Sequence, residues 1–441
     1  MAKKLSDEEL EVNRENDICW ILTSSFLTFT MQGGYALLES GVVSRKNEVN
    51  ILFKNAINIV CGGLSFWIFG FALSFGSPSN QYFGYGDFLI DAPESIMGLK
   101  YAELMFHLAY STTCTSIVSS SISERCKFTS FCVFCFLNTF VYSLPARWML
   151  RKGGLLQNLG AVDIGASGTV HLVGGCTSLM AAIFLGPRIG RFEHGLKRIP
   201  MGNGTNALLG LFMLWWGWLG FSAGSSFGIY GEKWKYSSRA SVTTIMATMG
   251  AGILGLTACW IFRKGIQDVR VLLDSILASL VAISGGAPVF HPLSSVIIGM
   301  TAAAVVLISI AIIDWFHIDD PLNSFAVHGI GGICGMIAIG LVAEKDENLE
   351  YTRGLEGFLI SGRYDLLISQ LIACVILMFW SICISSLLLF LIKITIGLRV
   401  TAEEELLGAD FTDHALVHNG NEEIIHLISR KINVSKWLQK M

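Results

Sequence analysis

Long apolar runs alternate with short polar stretches along almost the whole chain. Windows 276–290, 296–313 and 366–396 carry almost no charge, and a helix needs about 20 mostly apolar residues to cross the hydrocarbon. The pattern predicts eleven spans, near 17–40, 50–76, 101–122, 128–149, 166–187, 206–228, 240–262, 271–290, 294–316, 324–343 and 366–396. A Gly-rich acidic loop (77–98) and a charged loop (344–365) separate pairs of spans, and a hydrophilic tail follows. The fold class expected is therefore all-α and polytopic in a membrane. It divides into an N-terminus (1–16), a transmembrane domain (17–396) and a tail (397–441).

One internal repeat stands out. Asp163 precedes His171 by eight residues in DIGASGTVHLVGG, and Asp320 precedes His328 by eight in DPLNSFAVHGIGG. The first His falls in span five and the second in span ten. Five spans per unit is an odd number, so the units (17–190 and 206–343) should cross the bilayer in opposite directions, with span eleven (366–396) added. Inverted repeats of this kind build a site near the bilayer midplane.

Composition agrees. Of 441 residues 52% are apolar and 15% charged, against about 25% charged in a soluble domain; mean hydropathy is +0.57. The 46 glycines suit close helix contact in lipid. The net charge of −3 with scattered basic residues excludes a nucleic-acid partner. The eleven cysteines lie mostly in apolar windows, and Cys132–Cys135 reads as core packing rather than a metal or redox pair. The N-terminal MAKKLSDEEL lacks a cleavable signal pattern, so the first span is expected to serve as its own insertion signal. Placing the tail in the cytoplasm puts Arg45, Lys46, Arg125, Lys127, Arg188 and Arg191 there too, in keeping with the positive-inside rule; the N-terminus is then extracellular.

Ionisable groups inside spans mark functional positions by default. His171 and His328 could face each other across the pseudo-two-fold axis, or could cap helices as structural histidines. Asp163 opens span five, where it would cap a helix and also project negative potential into a vestibule. In span six, Trp218 and Phe221 share a helix face, with Ser225 one turn along. Such aromatics pack in most membrane helices; beside a hydroxyl and a carboxylate they can also recruit a small cation with N–H donors.

Several segments resemble the ammonium transporter family (Amt/Mep/Rh), especially its eukaryotic Amt branch. They are MQGGYALLESG (31–41), KNEVNILFKN (46–55), SERCKF (123–128), 163–175, GPRIGRFE (186–193), 206–225, 319–332 and GLRVTAEEELLGADFTDH (397–414). The resemblance implies eleven spans, an extracellular N-terminus, a plasma-membrane location and a homotrimer with one pore per subunit. Its partners are the ammonium ion and the lipid bilayer; no cofactor is implied. It implies that His171 and His328 are twin pore histidines and Asp163 an essential acid. Trp218 and Ser225 look like recruitment residues, and Tyr110 and Phe221 like the stacked gate. Departures from the family pattern are Tyr110 for Phe, His107 for Gln, Ser284 for Thr and Arg151 for a vestibule Trp.

The function this implies is transport of NH4+/NH3 without enzymatic chemistry: recruitment, deprotonation at the gate and passage past the histidines. The alternatives are a passive Rh-like NH3/CO2 channel, an ammonium sensor, and an intramembrane metalloenzyme, which would lack a tight ligand pair such as HExxH. In the tail, the resemblance makes 397–418 a regulatory segment docked on a neighbouring subunit, with Gly408, Asp410 and Thr412 as its key positions. A phosphate on Thr412, between Asp410 and Asp413, would repel both carboxylates. Residues 422–438 read as an amphipathic helix suited to the inner leaflet.

Overall fold

The computed structural model describes residues 7–193, 199–346 and 349–417; the amphipathic pattern at 422–438 lies outside them. The helices are α1 (Asp7–Val42), α2 (Glu48–Ser65), α3 (Phe71–Phe75), α4 (Glu94–Ile122), α5 (Phe128–Leu150), α6 (Leu155–Asn158), α7 (Val173–Leu185) and α8 (Gly204–Gly224). There follow α9 (Lys233–Phe262), α10 (Val269–Ser284), α11 (Pro292–Trp315), α12 (Gly331–Val342), α13 (Phe358–Ser361), α14 (Asp365–Thr395), α15 (Ala402–Leu407) and α16 (Ala409–His414). Wider π turns at Phe66–Gly70, Ser167–Leu172 and Phe325–Ile330 run straight into α3, α7 and α12. Among the described residues there is no β-sheet, only two isolated bridges.

A helical segment lies at each of the eleven predicted spans, and eight are long and apolar enough to cross a membrane by length and composition. The other three are α1, α4 and α10. Helix α10 has only 16 residues, whereas α1 and α4 bury polar groups against each other and against α2. Glu39 accepts from Asn55 Nδ2 at 2.7 Å and from Ser119 Oγ, and Gln32 Nε2 donates to Thr113 Oγ1 at 2.9 Å. Lipid offers polar groups no partners, so they pair inside the bundle. Large apolar side chains such as Phe262, Ile308 and Phe379 point outward.

The two units are related at a constant offset. His171 and His328 are 157 residues apart, and the same offset maps Asp163 onto Asp320, Ala166 onto Asn323 and Gly175 onto Gly332. Ala166 (φ 62°) and Asn323 (φ 56°) both take the left-handed conformation that sets up the π turn. Contacts between the units are reciprocal. A Cβ on Gly175 would lie 2.1 Å from Gly329 N, and one on Gly332 would lie 2.9 Å from Leu172 N; Leu172 and Gly329 are again equivalents. A contact of i with j′ and of j with i′ is the signature of two-fold symmetry. The leading helices of the units, α1 and α8, also pack together, Gly41 on Ala207 and Gly210 on Leu38. Small residues allow such approach where no hydrophobic effect drives association.

At Gly175 and Gly329 backbone meets backbone, so no side chain can move aside. Gly175→Ala is expected to cost at least the ~1–3 kcal/mol of core overpacking. It should lower the detergent melting temperature and the folded yield, whereas Gly252→Ala, which would meet nothing within 4 Å, should change neither.

Candidate functional site

The chain around Asp163 leaves a cavity of 270 Å³, lined by Tyr110, Asp163, Ser225, Phe227 and Arg353 among others. Asp163 caps its own π turn. Its Oδ2 accepts from Gly168 N (3.1 Å), Thr169 N (2.8 Å) and Thr169 Oγ1 (2.7 Å), which leaves Oδ1 buried with no partner. A buried anionic oxygen without a donor is costly; Oδ1 lies close to Gly285, where a Cβ would meet it at 2.8 Å. Asp320 repeats the arrangement in the second unit: it accepts from Phe325 N at 2.8 Å, and its Oδ1 is likewise without a partner. Asp320 borders a cavity of 470 Å³ at the other end, with Asp274 and Asn323.

Between these acids runs a file of rings. Tyr110 and Phe221 stack with centroids 4.2 Å apart. Tyr110 Oη lies 2.6 Å from Ser225 Oγ, and Ser225 also donates to Phe221 O at 2.7 Å. Phe221 is followed by His171 (5.6 Å), His171 by His328 (5.2 Å), and His328 by Tyr35 (6.0 Å). His171 Nδ1 and His328 Nδ1 lie 3.2 Å apart, both rings buried. Like atoms meet because the axis passes between them. One Nδ1 must carry the shared hydrogen, which makes the Nε2 atoms of the two rings one donor and one acceptor. His171 Nε2 is buried without a protein partner.

The structure therefore brings Tyr110, Asp163 and Ser225 together at the 270 Å³ cavity, with Phe221 stacked on Tyr110 and His171 and His328 behind them. Trp218 lies elsewhere than at the outer recruitment position expected for it. Its ring stacks on His171 at 5.0 Å, its Nε1 donates to Ser284 Oγ at 2.8 Å, and it is fully buried. Seven residues separate it from Ser225, about 10 Å along a helix: helical period gave its face, not its depth. Arg151 borders a second cavity, of 540 Å³, and approaches Glu103 at 4.0 Å.

The opposite face holds an ion network that the motif reading left without a role. Arg188 bonds Glu124 and Asp319 (Nε to Oδ2, 2.8 Å), and Arg191 reaches Asp314 (2.6 Å). Apart from Asp314, these residues come from the resemblance segments 123–128, 186–193 and 319–332; opposite charges just outside span ends were the available signal. Burial pushes the Asp319 carboxyl up, but the Arg188 bonds and the Arg188 and Arg125 charges outweigh it and hold it below the usual carboxylate range. That stabilisation is present above the unfolded pKa and is lost only as pH falls through the lower folded value.

The tail packs on this network. Arg399 donates to Leu185 O, Pro187 O and Glu405, and Lys46 donates to Glu405 O and Leu406 O. Asp410 accepts from Val49 N (3.1 Å) and Asn50 N (2.7 Å), capping α2, and Asp413 accepts from Asn50 Nδ2. Gly408, at φ 94°, turns the chain there, and a Cβ would strike Lys46 at 2.6 Å. Thr412 is half-buried in α16. These contacts are all within one chain.

A model of the Ammonium Transporter Family matches residues 19–418. The chain belongs to the ammonium transporter family. It is 40% identical over 421 residues to putative ammonium transporter 3 of Caenorhabditis elegans, covering 92% of this chain but 61% of that protein. It is 34% identical over 438 residues to ammonium transporter 1 member 3 of Solanum lycopersicum, with 93% and 94% covered. A solved Sensor Amt Protein superposes with a TM-score of 0.83 at 28% identity, covering 92% of this chain and 99% of that one. Mep2 of Saccharomyces cerevisiae, at 23% identity and a TM-score of 0.78 over 88% of each chain, shares the fold. The family is one of transporters and channels, so the chain is not an enzyme.

Arg188→Ala would remove the cation that two buried carboxylates, Glu124 and Asp319, share, and breaking such a buried pair costs about 3–5 kcal/mol. A large drop in melting temperature is expected. Arg188→Lys should restore only part of it, because one ammonium cannot bond both acids as a guanidinium fork does.

Proposed function

We propose that this chain conducts ammonium across the plasma membrane, as a homotrimer with a pore through each subunit. The N-terminus and the Asp163 cavity then face outward, and the tail faces the cytoplasm. The observation that carries this reading is the His171–His328 pair sealed behind the Tyr110–Phe221 stack, with Asp163 among the residues lining the cavity before it. Transferring a bare monovalent ion to a low dielectric costs on the order of 20 kcal/mol, and two neutral imidazoles do not offset that. Potassium has no other route. Ammonium can give its proton to the accepting Nε2 of the pair, with the hydrogen of the other Nε2 released on the far side, and continue as NH3 beside the two rings.

In this reading Asp163 biases the outer cavity toward cations, and the Ser225 hydroxyl accepts from the arriving N–H groups. Tyr110 and Phe221 close the way to a hydrated ion. Trp218 fixes the His171 ring rather than recruiting the ion. The passive gas channel is separated from this reading by an ammonium-evoked current. The sensor reading is separated by flux itself; the Sensor Amt Protein shares the fold, and that name belongs to that protein.

The reading is tested by methylammonium uptake and ammonium-evoked current in oocytes. Asp163→Ala should abolish uptake at matched surface expression, and Asp163→Glu, longer by one methylene, should leave a fraction. Wild-type uptake in Asp163→Ala would overturn the role of the acid. We propose further that the docked tail keeps the pore open, in the trimer through contact with a neighbour as well. A charge at Thr412 sits beside Asp410 and Asp413, so Thr412→Asp should lower uptake strongly even when co-expressed with wild type. Thr412→Ala should be mild; equal uptake by the two variants would remove the tail from regulation.

A further inference from the structure

Two cavities, not one, lie on the side of Asp163. The larger, of 540 Å³, is lined by residues of α1, α3 and α4 and of the segments after α5 and before α9, among them Asp17, Glu103 and Arg151. The smaller, of 270 Å³, holds Tyr110, Asp163 and Ser225. His107, Leu150, Lys152 and Phe227 line both. The two rings of this shared wall are stacked: His107 lies between Phe75, at 3.7 Å and 20°, and Phe227, at 5.2 Å and 27°. Phe227 is held in a left-handed conformation (φ 49°), with its N–H on Gly224 O at 2.9 Å. A non-glycine residue kept there stores strain, a trait of functional segments.

His107 is only 3% exposed, and its Nδ1 has no hydrogen-bond partner. An imidazole held between two phenyl rings for packing alone has no use for its nitrogens, and a phenylalanine would fill the slot without leaving a buried polar atom unsatisfied. The basic groups around it are engaged elsewhere. Lys233 bonds Asp17 at 2.7 Å and Phe227 O at 2.9 Å, Arg151 approaches Glu103, and Lys152 approaches Glu350 at 3.9 Å. His107 lies one helical turn before Tyr110, with ring centroids 5.9 Å apart. A neutral imidazole always offers one lone pair, so it can accept from an N–H donor that neither phenyl ring could bind in that way.

Resting on the function proposed above, we propose that His107 is a substrate-contacting residue at the threshold between the two outer cavities. It accepts a hydrogen bond from ammonium or methylammonium and passes the ion to the Tyr110–Ser225 position. The ligand class is a small cation with N–H donors. Potassium has no hydrogen to give this nitrogen, so the threshold discriminates before the gate does.

The test separates the nitrogen from the ring. His107→Phe keeps the stack and removes the acceptor; His107→Gln removes the ring and keeps an acceptor oxygen. Methylammonium uptake is measured in oocytes at matched surface expression. For His107→Phe the apparent KM should rise about tenfold or more, as for loss of a hydrogen bond to a charged group, with maximal rate within about twofold. For His107→Gln the KM should stay within about threefold of wild type. An unchanged KM in His107→Phe would make the residue a packing element and overturn the proposal. So would a KM in His107→Gln raised as far as in His107→Phe. Absence of uptake by the wild type would instead overturn the function proposed above, so the two failures are distinguishable.

Discussion

Everything in the file of rings depends on two stretches of backbone meeting face to face at the pseudo-two-fold axis. Gly175 lies against Gly329, and Gly332 against Leu172, closer than any Cβ would allow. That approach fixes the depth and rotation of both π turns. It places the two Nδ1 atoms 3.2 Å apart and spends each ring's inner nitrogen on the other ring. A π turn shifts side chains off the regular helical register, and the left-handed Ala166 and Asn323 start each turn at the same point. The symmetry is therefore visible atom by atom.

The electrostatics follow from the same symmetry. Among the described residues the ring file between the cavities contains no carboxylate and no permanently charged group; Asp163 and Asp320 stand at its two ends. Each caps a π turn with one oxygen and leaves the other without a protein donor. The strong ion pairs lie away from the file, in the Glu124–Arg188–Asp319 network beneath the tail. There they join span ends and docked tail into one unit, so tail displacement would expose buried charge.

The helical spans were legible because lipid imposes a one-dimensional rule: about 20 apolar residues per crossing. The paired histidines and Asp163 were legible because the spacing of eight recurs at matching places in the two units. Trp218 was legible only as to its face. Its depth, two turns below Ser225, depends on where α8 sits against α10 and is fixed by the bond to Ser284. His107 showed only as a departure from the family pattern, because its neighbours Phe75 and Phe227 are far from it in sequence. The convergence of Glu124, Arg188 and Asp319 was hidden for the same reason.

The sequence by itself thus determined the class, where the helical spans fall, the inverted repeat and the residues that lie on the axis. These properties are local or periodic, and period and spacing are written along the chain. Only the tertiary structure decided which atoms face which: like against like for the histidines, Trp218 against His171, His107 between two phenyl rings, and Asp410 on the start of α2. Such contacts join residues tens to hundreds of positions apart. They are set by the close approach of small residues and by the need to satisfy every polar group within the bundle, conditions that exist only once all the helices are in place.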